Sequence, residues 1–189
     1  MRRLVLFQHI SLDGFAADAN DGLDWISYDS SLARLADGIV KTVGSAVYGR
    51  KTYEIMGYWR TVLKNPKASK HDLAHARWIE KIEKIVVSSS LGEPDWNNTT
   101  VIRDDVAAAF AKLKKKGRGK DLVVFGSPTL GRTLIDLELV DEYRLTLNPV
   151  ILGAGKRSFG AGALKGLELL EAKKLRSGVL ALHYRAKRR

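Results

Sequence analysis

The stretch Ala46-Val47-Tyr48-Gly49-Arg50-Lys51-Thr52 sets a short apolar run against a glycine, two adjacent cations and a hydroxyl. The residues that follow, from Tyr53, read as the first turns of a helix. Residues of these types at the mouth of a helix suit an anion. The first turn presents unpaired N–H groups and the positive end of the helix dipole. Glycine lets the backbone approach closely, and the cations and hydroxyl add charge and hydrogen bonds. Two other stretches have the same grammar: Val87-Ser88-Ser89-Ser90 and Phe125-Gly126-Ser127-Pro128-Thr129. In an open α/β sheet, ligands sit beyond the carboxyl ends of the strands. Side by side, these ends would form an anion-binding rim that includes two helix N-termini.

Other residues offer chemistry with less support. His71 and His75 have i, i+4 spacing and, with Asp72, the beginnings of a metal site. No third ligand is indicated, and the segment reads as an amphipathic surface helix. Gly126-Ser127-Pro128 lacks the second glycine of a nucleophile elbow. His9 lies inside a strand-like run and reads as a buried, hydrogen-bonded residue. Tyr53, Ile55, Met56, Tyr58 and Trp59 either line a pocket for a flat heterocycle or pack in the core.

The elements that must position these residues follow from periodicity. Residues 2–10 read as a strand, and 11–25, dense in Gly, Asp and Asn, as a loop. Leu32, Leu35, Ala36, Ile39, Val40 and Val43 keep helical spacing from Ser30 to about Val43, with Asp29 or Ser30 as cap. A strand at 45–49 leads into the Gly49 turn, 57–69 reads as loop, and 70–82 as a second long helix. Residues 84–91 are strand then turn, 99–105 strand then helix start, and 105–116 helix. The run 121–126 has the apolar continuity of a buried parallel strand. A helix at 129–137, a strand at 141–152 and an antiparallel pair within 167–186 close the chain. The pattern predicts a three-layer α/β/α sandwich around a mixed, mostly parallel sheet of about eight strands. No repeat or linker divides it, so one domain over 1–189 is expected.

Composition bounds the function. Hydrophobic content of 45% with 28% charged residues is ordinary for a globular chain. No apolar run approaches the roughly 18 residues of a membrane helix, and the N-terminal run is too short for a signal peptide. Without cysteine there is neither a disulfide framework nor a thiolate metal site, which fits a cytoplasmic protein. The 32 Lys and Arg against 21 Asp and Glu give +11. That charge is spread along the chain, including 112–120 and 185–189, with no interleaved basic and aromatic face. Solvated surface or steering of acidic ligands is expected, and a nucleic-acid partner is not.

Taken in order, ISLDGFAA, YGRKTYE, VVSSSL, VVFGSPTLGRTL and LVDEYRLTLNPVILGAGKRSF resemble the dihydrofolate-reductase-like fold family. They are closest to its branch containing the reductase domain of bacterial riboflavin biosynthesis. The resemblance runs from about residue 2 to 184. It implies an NADPH site across the strand ends. Gly49, Arg50, Lys51 and Thr52 match the segment on the adenosine-side phosphates. Ser88 and Ser89 match the turn beside the adenine ribose and its 2′-phosphate. Gly126, Ser127, Pro128, Thr129 and Leu130 match the turn around the pyrophosphate, and Ala16 of ISLDGFAA belongs to the cofactor set. An Arg-Lys pair suits NADP, where NAD would call for an acid.

The same resemblance implies more about the first loop and about partners. Ser11-Leu12-Asp13-Gly14 matches the branch's Ser-x-Asp-Gly loop. Asp13 would then orient a substrate hydroxyl or supply a proton through water; its other reading is a turn former. Trp25 is either a wall of the substrate pocket or a loop anchor. Tyr53 is the second candidate substrate contact, and no metal is expected. The family pairs subunits through the block at 139–159, which implies a homodimer.

Two departures from the family pattern stand out. Where relatives carry Gly-Gly after the third strand, this chain has Gly126-Ser127, and a strained backbone costs serine more than glycine. None of Asp24, Asp29 and Asp37 matches the buried carboxylate of dihydrofolate reductases, so a different substrate is expected. The activity implied is reduction of a small planar or carbonyl- or imine-bearing molecule. The rival reading is a non-catalytic nucleotide-binding module of the same fold.

Overall fold

In chain order the elements are β1 (Leu4–Ser11), β2 (Phe15–Ala17), α1 (Ser30–Val40), β3 (Val43–Gly49), α2 (Arg50–Met56), α3 (Tyr58–Val62), α4 (Lys70–Lys81), β4 (Glu83–Val87), β5 (Thr99–Ile102), α5 (Val106–Lys115), β6 (Asp121–Phe125), α6 (Pro128–Asp136), β7 (Glu142–Asn148), β8 (Lys156–Arg157), β9 (Leu167–Lys174) and β10 (Leu180–Ala186). The structure, a computed structural model, describes residues 1–116, 119–160 and 166–187. Residues 117–118 and 188–189, parts of the two basic runs noted above, lie outside the described residues.

Eight strands form one sheet in the order β5-β4-β3-β6-β1-β7-β10-β9, and β2 pairs separately with β8. The first six in that order run parallel, and β10 and β9 complete the sheet antiparallel. β1 and β6 are central and covered on both faces. That is why β1 opens on the unbroken apolar run Leu4–Phe7 and β6 runs apolar from Leu122 to Phe125, without alternation.

Two apolar layers fill the space between sheet and helices. On one face Leu6, Val47, Leu122, Val124 and Tyr143 pack against Phe110 of α5 and Leu130 and Leu134 of α6. On the other, Phe7, Tyr48, Val86 and Val123 pack against Ile39 of α1, Tyr53 of α2 and Ile79 of α4. The arrangement is the expected α/β/α sandwich.

Local chemistry sets the helix starts. Asp29 caps α1, accepting from the N–H groups of Ser31 and Leu32, each at 2.8 Å. Ser69 caps α4 through the Asp72 N–H at 3.0 Å, and Asp105 caps α5 through Ala108 at 3.1 Å.

Three expectations are corrected. Residues 57–69 are not all loop, because Tyr58–Val62 makes the short helix α3 and buries Val62. The first loop contains β2, held by its pairing with β8. Helix α1 ends at Val40, and Val43 begins β3. Its apolar side chain continues the helical spacing, but the core it joins is that of the sheet.

β9 is unusual. Nearly every residue of this edge strand is exposed, with Leu169 at 53% of its full accessibility.

Candidate functional site

The parallel pairing puts the carboxyl ends of β3, β4 and β6 on one edge, with Gly49 opposite Val87 and Val47 opposite Val124. From β3 the chain leaves through α2–α4 on one face toward β4. From β6 it leaves through α6 on the other face toward β7. Between these two strands the winding reverses, which opens a crevice at their ends.

The two turns meet in that crevice. The Gly49 N–H donates to the Ser127 hydroxyl oxygen at 3.0 Å, and that hydroxyl donates to the Phe125 carbonyl at 3.1 Å. Gly126 and Ser127 both lie in the left-handed region, at φ +54° and +53°. The conformation is strained for serine, and the two hydrogen bonds its hydroxyl makes hold it there. A Cβ on Gly49 would stand 3.7 Å from Cβ of both Leu130 and Ser127, and one on Gly126 would stand 4.0 Å from Cγ2 of Thr52. Gly49, Thr52, Gly126, Ser127 and Leu130 therefore come together. Pro128 opens α6 and Thr129 follows it. Neither α2 nor α6 has a side-chain cap.

The cations are engaged. Arg50 pairs with Glu54 one turn along at 3.6 Å. Lys51 reaches Oδ2 of Asp21 at 3.1 Å, and Lys156 of β8 pairs with Oδ1 of the same carboxylate. Asp21 and Lys156 did not stand out in the sequence, because no spacing rule links a loop aspartate to partners so far along the chain. One strand further from the crevice, Ser88 folds its own turn, its hydroxyl accepting from Ser90 and Leu91 at 3.2 and 3.0 Å. Ser89 is exposed.

Asp13 sits just past the end of β1 and accepts three hydrogen bonds. It receives the Ser11 hydroxyl at 2.6 Å, the Leu152 N–H at 3.1 Å and the Gly153 N–H at 2.7 Å. The serine hydrogen bond, with help from the two backbone groups, holds its carboxyl at about 2. At neutral pH it is ionised and accepts these hydrogen bonds. Ala16 is buried in β2. Trp25 donates its indole N–H to Gly22 at 3.1 Å, within its own loop. Tyr53 is buried, its ring 6.0 Å from that of Trp96.

The remaining titratable groups near the first loop are also committed. Asp29 caps α1 and receives the Ser177 N–H at 2.9 Å. Asp37 meets His71 at 3.2 Å. His9 lies 2.5 Å from the Thr146 hydroxyl, and burial pulls its imidazole down to about 4, so it is neutral at pH 7. The His75 ring packs against Trp59 and Trp78, tilted to each, with centroids 4.3 and 5.2 Å away. Among the described residues no group of three or more His, Asp or Glu is arranged to hold a metal ion, and no helix is long and apolar enough to cross a membrane.

The model of the family described as the RibD C-terminal domain matches residues 2–181. In sequence, the chain is 31% identical over 186 residues to the uncharacterized protein YyaP of Bacillus subtilis (strain 168), covering 97% of this chain and 94% of that protein. In structure, it is similar to a protein of Shewanella sp. PV-4 named for riboflavin biosynthesis, with a TM-score of 0.72 at 21% identity over 98% and 99% of the two chains. It is also similar to a pyrimidine reductase-like protein of Corynebacterium diphtheriae NCTC, with a TM-score of 0.67 at 17% identity over 100% and 93%. At those identities the structural likeness shows the fold.

Proposed function

We propose, from the premise that this chain belongs to the RibD C-terminal domain family, that it is an NADPH-dependent reductase of a small planar or carbonyl- or imine-bearing substrate. The observation that carries the reading is the junction of Gly49 and Ser127 in the crevice between β3 and β6. Two strand-end turns meet there and lead into the N-terminus of α6, which has no side-chain cap, with Arg50 and Lys51 directly after Gly49. That donor set suits phosphate groups.

NADPH, when bound, supplies the hydride. The chain's own contribution is to bind and orient. Gly49, Arg50, Lys51 and Thr52 would hold the adenosine-side phosphates, Ser88 and Ser89 the ribose 2′-phosphate, and Gly126 through Leu130 the pyrophosphate. Ala16 would back the cofactor from β2. Asp13 would act as an ionised anchor that fixes the first loop, where Trp25 would face the substrate, and Tyr53 would support that pocket from behind. Positioning of this kind accounts for much of the barrier reduction available to a hydride transfer.

The test is oxidation of NADPH by the purified protein with a panel of carbonyl, imine and pyrimidine acceptors. Acceptor-dependent oxidation, lost in a Ser127→Asp variant that sets a negative charge in the crevice, supports the reductase. Tight NADPH binding with no turnover for any acceptor would favour the non-catalytic module.

We also infer that two copies associate through the sheet edge. β9 presents Leu167 and Leu169 to solvent, and β10 adds Leu180. An edge strand of 8 residues with exposed leucines among its charges offers unpaired backbone groups and apolar contact to a second copy.

A further inference from the structure

We propose that Lys51 and Lys156 form a single anion seat, that Asp21 fills this seat in the free protein, and that a phosphate-bearing ligand must displace Asp21 to occupy it. The inference rests on the reading of the strand ends as a phosphate site and adds a built-in competitor to it.

The two lysines come from fixed supports. Lys51 stands in the first turn of α2, directly after the Gly49 turn. Lys156 is set by the pairing of β8 with Ala17 of β2. Gly155, just before it, packs so closely that a Cβ would fall 2.1 Å from the Ala17 carbonyl oxygen, at φ +138°. The backbone that carries each lysine is thus fixed.

Asp21 belongs to a loop folded mainly on itself. Its neighbour Asp18 accepts the N–H groups of Asn20 and Gly22 at 2.8 and 2.7 Å. Trp25 bonds back to Gly22. The Asp21 carboxylate reaches out of this loop, one oxygen to each lysine. Its backbone takes φ +65°, a left-handed conformation that aspartate and asparagine tolerate better than most residues.

Charge favours the exchange. Two ammonium groups against one carboxylate leave a net positive charge in the free state. A phosphate carries more negative charge than the carboxylate and presents more acceptor oxygens to the same two donors. Both ion pairs are partly solvent-exposed, so the contacts holding Asp21 are weak. Binding therefore removes the tie between the two lysines and the loop that carries Trp25, which loosens that loop and couples phosphate occupancy to the segment placed at the substrate end.

The experiment compares the full chain with Asp21→Asn, Asp24→Asn and Lys156→Met. Each is titrated with inorganic pyrophosphate and separately with NADPH by calorimetry, and hydrogen exchange of the 18–25 amides is followed with and without pyrophosphate. Asparagine keeps the backbone preference at position 21 while removing the competing charge. Asp24→Asn makes the same charge change in the same loop without touching either lysine.

Asp21→Asn is expected to bind pyrophosphate about two- to tenfold more tightly, the range set by loss of two exposed ion pairs. Asp24→Asn should leave the affinity near that of the parent, and Lys156→Met should weaken it. Pyrophosphate should speed exchange in 18–25 of the parent, and Asp21→Asn should show that faster exchange without ligand. Equal gains from the two asparagine variants would make the effect one of net charge and overturn the proposal. Unchanged exchange on adding pyrophosphate would overturn it as well. Failure of every variant to bind NADPH would instead count against the reductase reading, while the pyrophosphate and exchange results still decide the seat.

Discussion

The Gly49 N–H and the Ser127 hydroxyl meet at 3.0 Å and join two turns that lie 78 residues apart in the chain. The contact does two things. It satisfies a backbone donor at the last residue of β3, and it stabilises a serine in a conformation that usually selects glycine.

Ser127→Ala should therefore lose the bond and keep the strain. A loss of about 1–2 kcal/mol is expected, from an unmade hydrogen bond in a partly buried site. Ser127→Gly loses the same bond but relieves the strain, so its stability should fall between parent and alanine variant. Urea unfolding midpoints decide the order, and a glycine variant less stable than the alanine variant would contradict this account.

Lys84 illustrates a buried charge with its partners in place. Its side chain is fully buried at the start of β4. The ammonium donates to the carbonyls of Ile79, Ile82 and Glu80 at 2.9, 3.0 and 3.3 Å, and lies 4.7 Å from the Trp96 ring. It closes the C-terminal end of α4, where a cation is favoured. Lys84→Met keeps the packing and leaves those carbonyls unpaired, so a loss of about 1–3 kcal/mol is expected. Thermal unfolding of the variant would show it, and an unchanged melting temperature would refute the capping role.

Acid should destabilise the fold through two named carboxylates. Asp13 and Asp29 both drop from 3.8 to about 2, led by the hydrogen bonds from Ser11 and Ser31 respectively. Between those values the unfolded chain binds more protons than the folded one. The stabilisation is thus complete above about pH 4 and is lost as pH falls toward 2. Melting temperatures measured from neutral to acid pH should fall over that window. Asp13→Asn and Asp29→Asn should each start lower at neutral pH and show a shallower fall.

Association through β9 predicts that the chain runs as a dimer in light scattering. Leu169→Lys places a charge on the exposed strand and should yield monomers with the fold intact by circular dichroism. A monomeric parent at high concentration would contradict that interface.

Much of this architecture is legible in the sequence, and the exceptions have physical causes. The central strands read cleanly because Leu122–Phe125 and Leu4–Phe7 are unbroken apolar runs, as burial on two faces demands. The start of α1 is marked by Asp29, whose short side chain reaches nearby N–H groups, while the caps Ser69 and Asp105 emerge only with the structure. Helix α3 is hidden because Gly57, Asn65 and Pro66 dominate its surroundings and its 5 residues have no cap. β2 has only 3 residues and exists through its partner β8. At the crevice, glycine and serine turns announce the strand ends. The contact between Gly49 and Ser127, and that of Asp21 with Lys51 and Lys156, depend on the tertiary arrangement and follow no local spacing. Asp13 shows the same limit. Its motif is visible, but the backbone groups of Leu152 and Gly153 that engage its carboxylate are 139 and 140 residues away.

The central claim is that the strand-end crevice holds NADPH. Titration of the purified chain with NADPH and with NADH, followed by quenching of the tryptophan fluorescence, tests it most directly. The account predicts micromolar NADPH binding, clearly tighter than NADH, and weakened when Arg50→Ala removes a cation from the 2′-phosphate side. No binding of either nucleotide, verified by calorimetry, would contradict it.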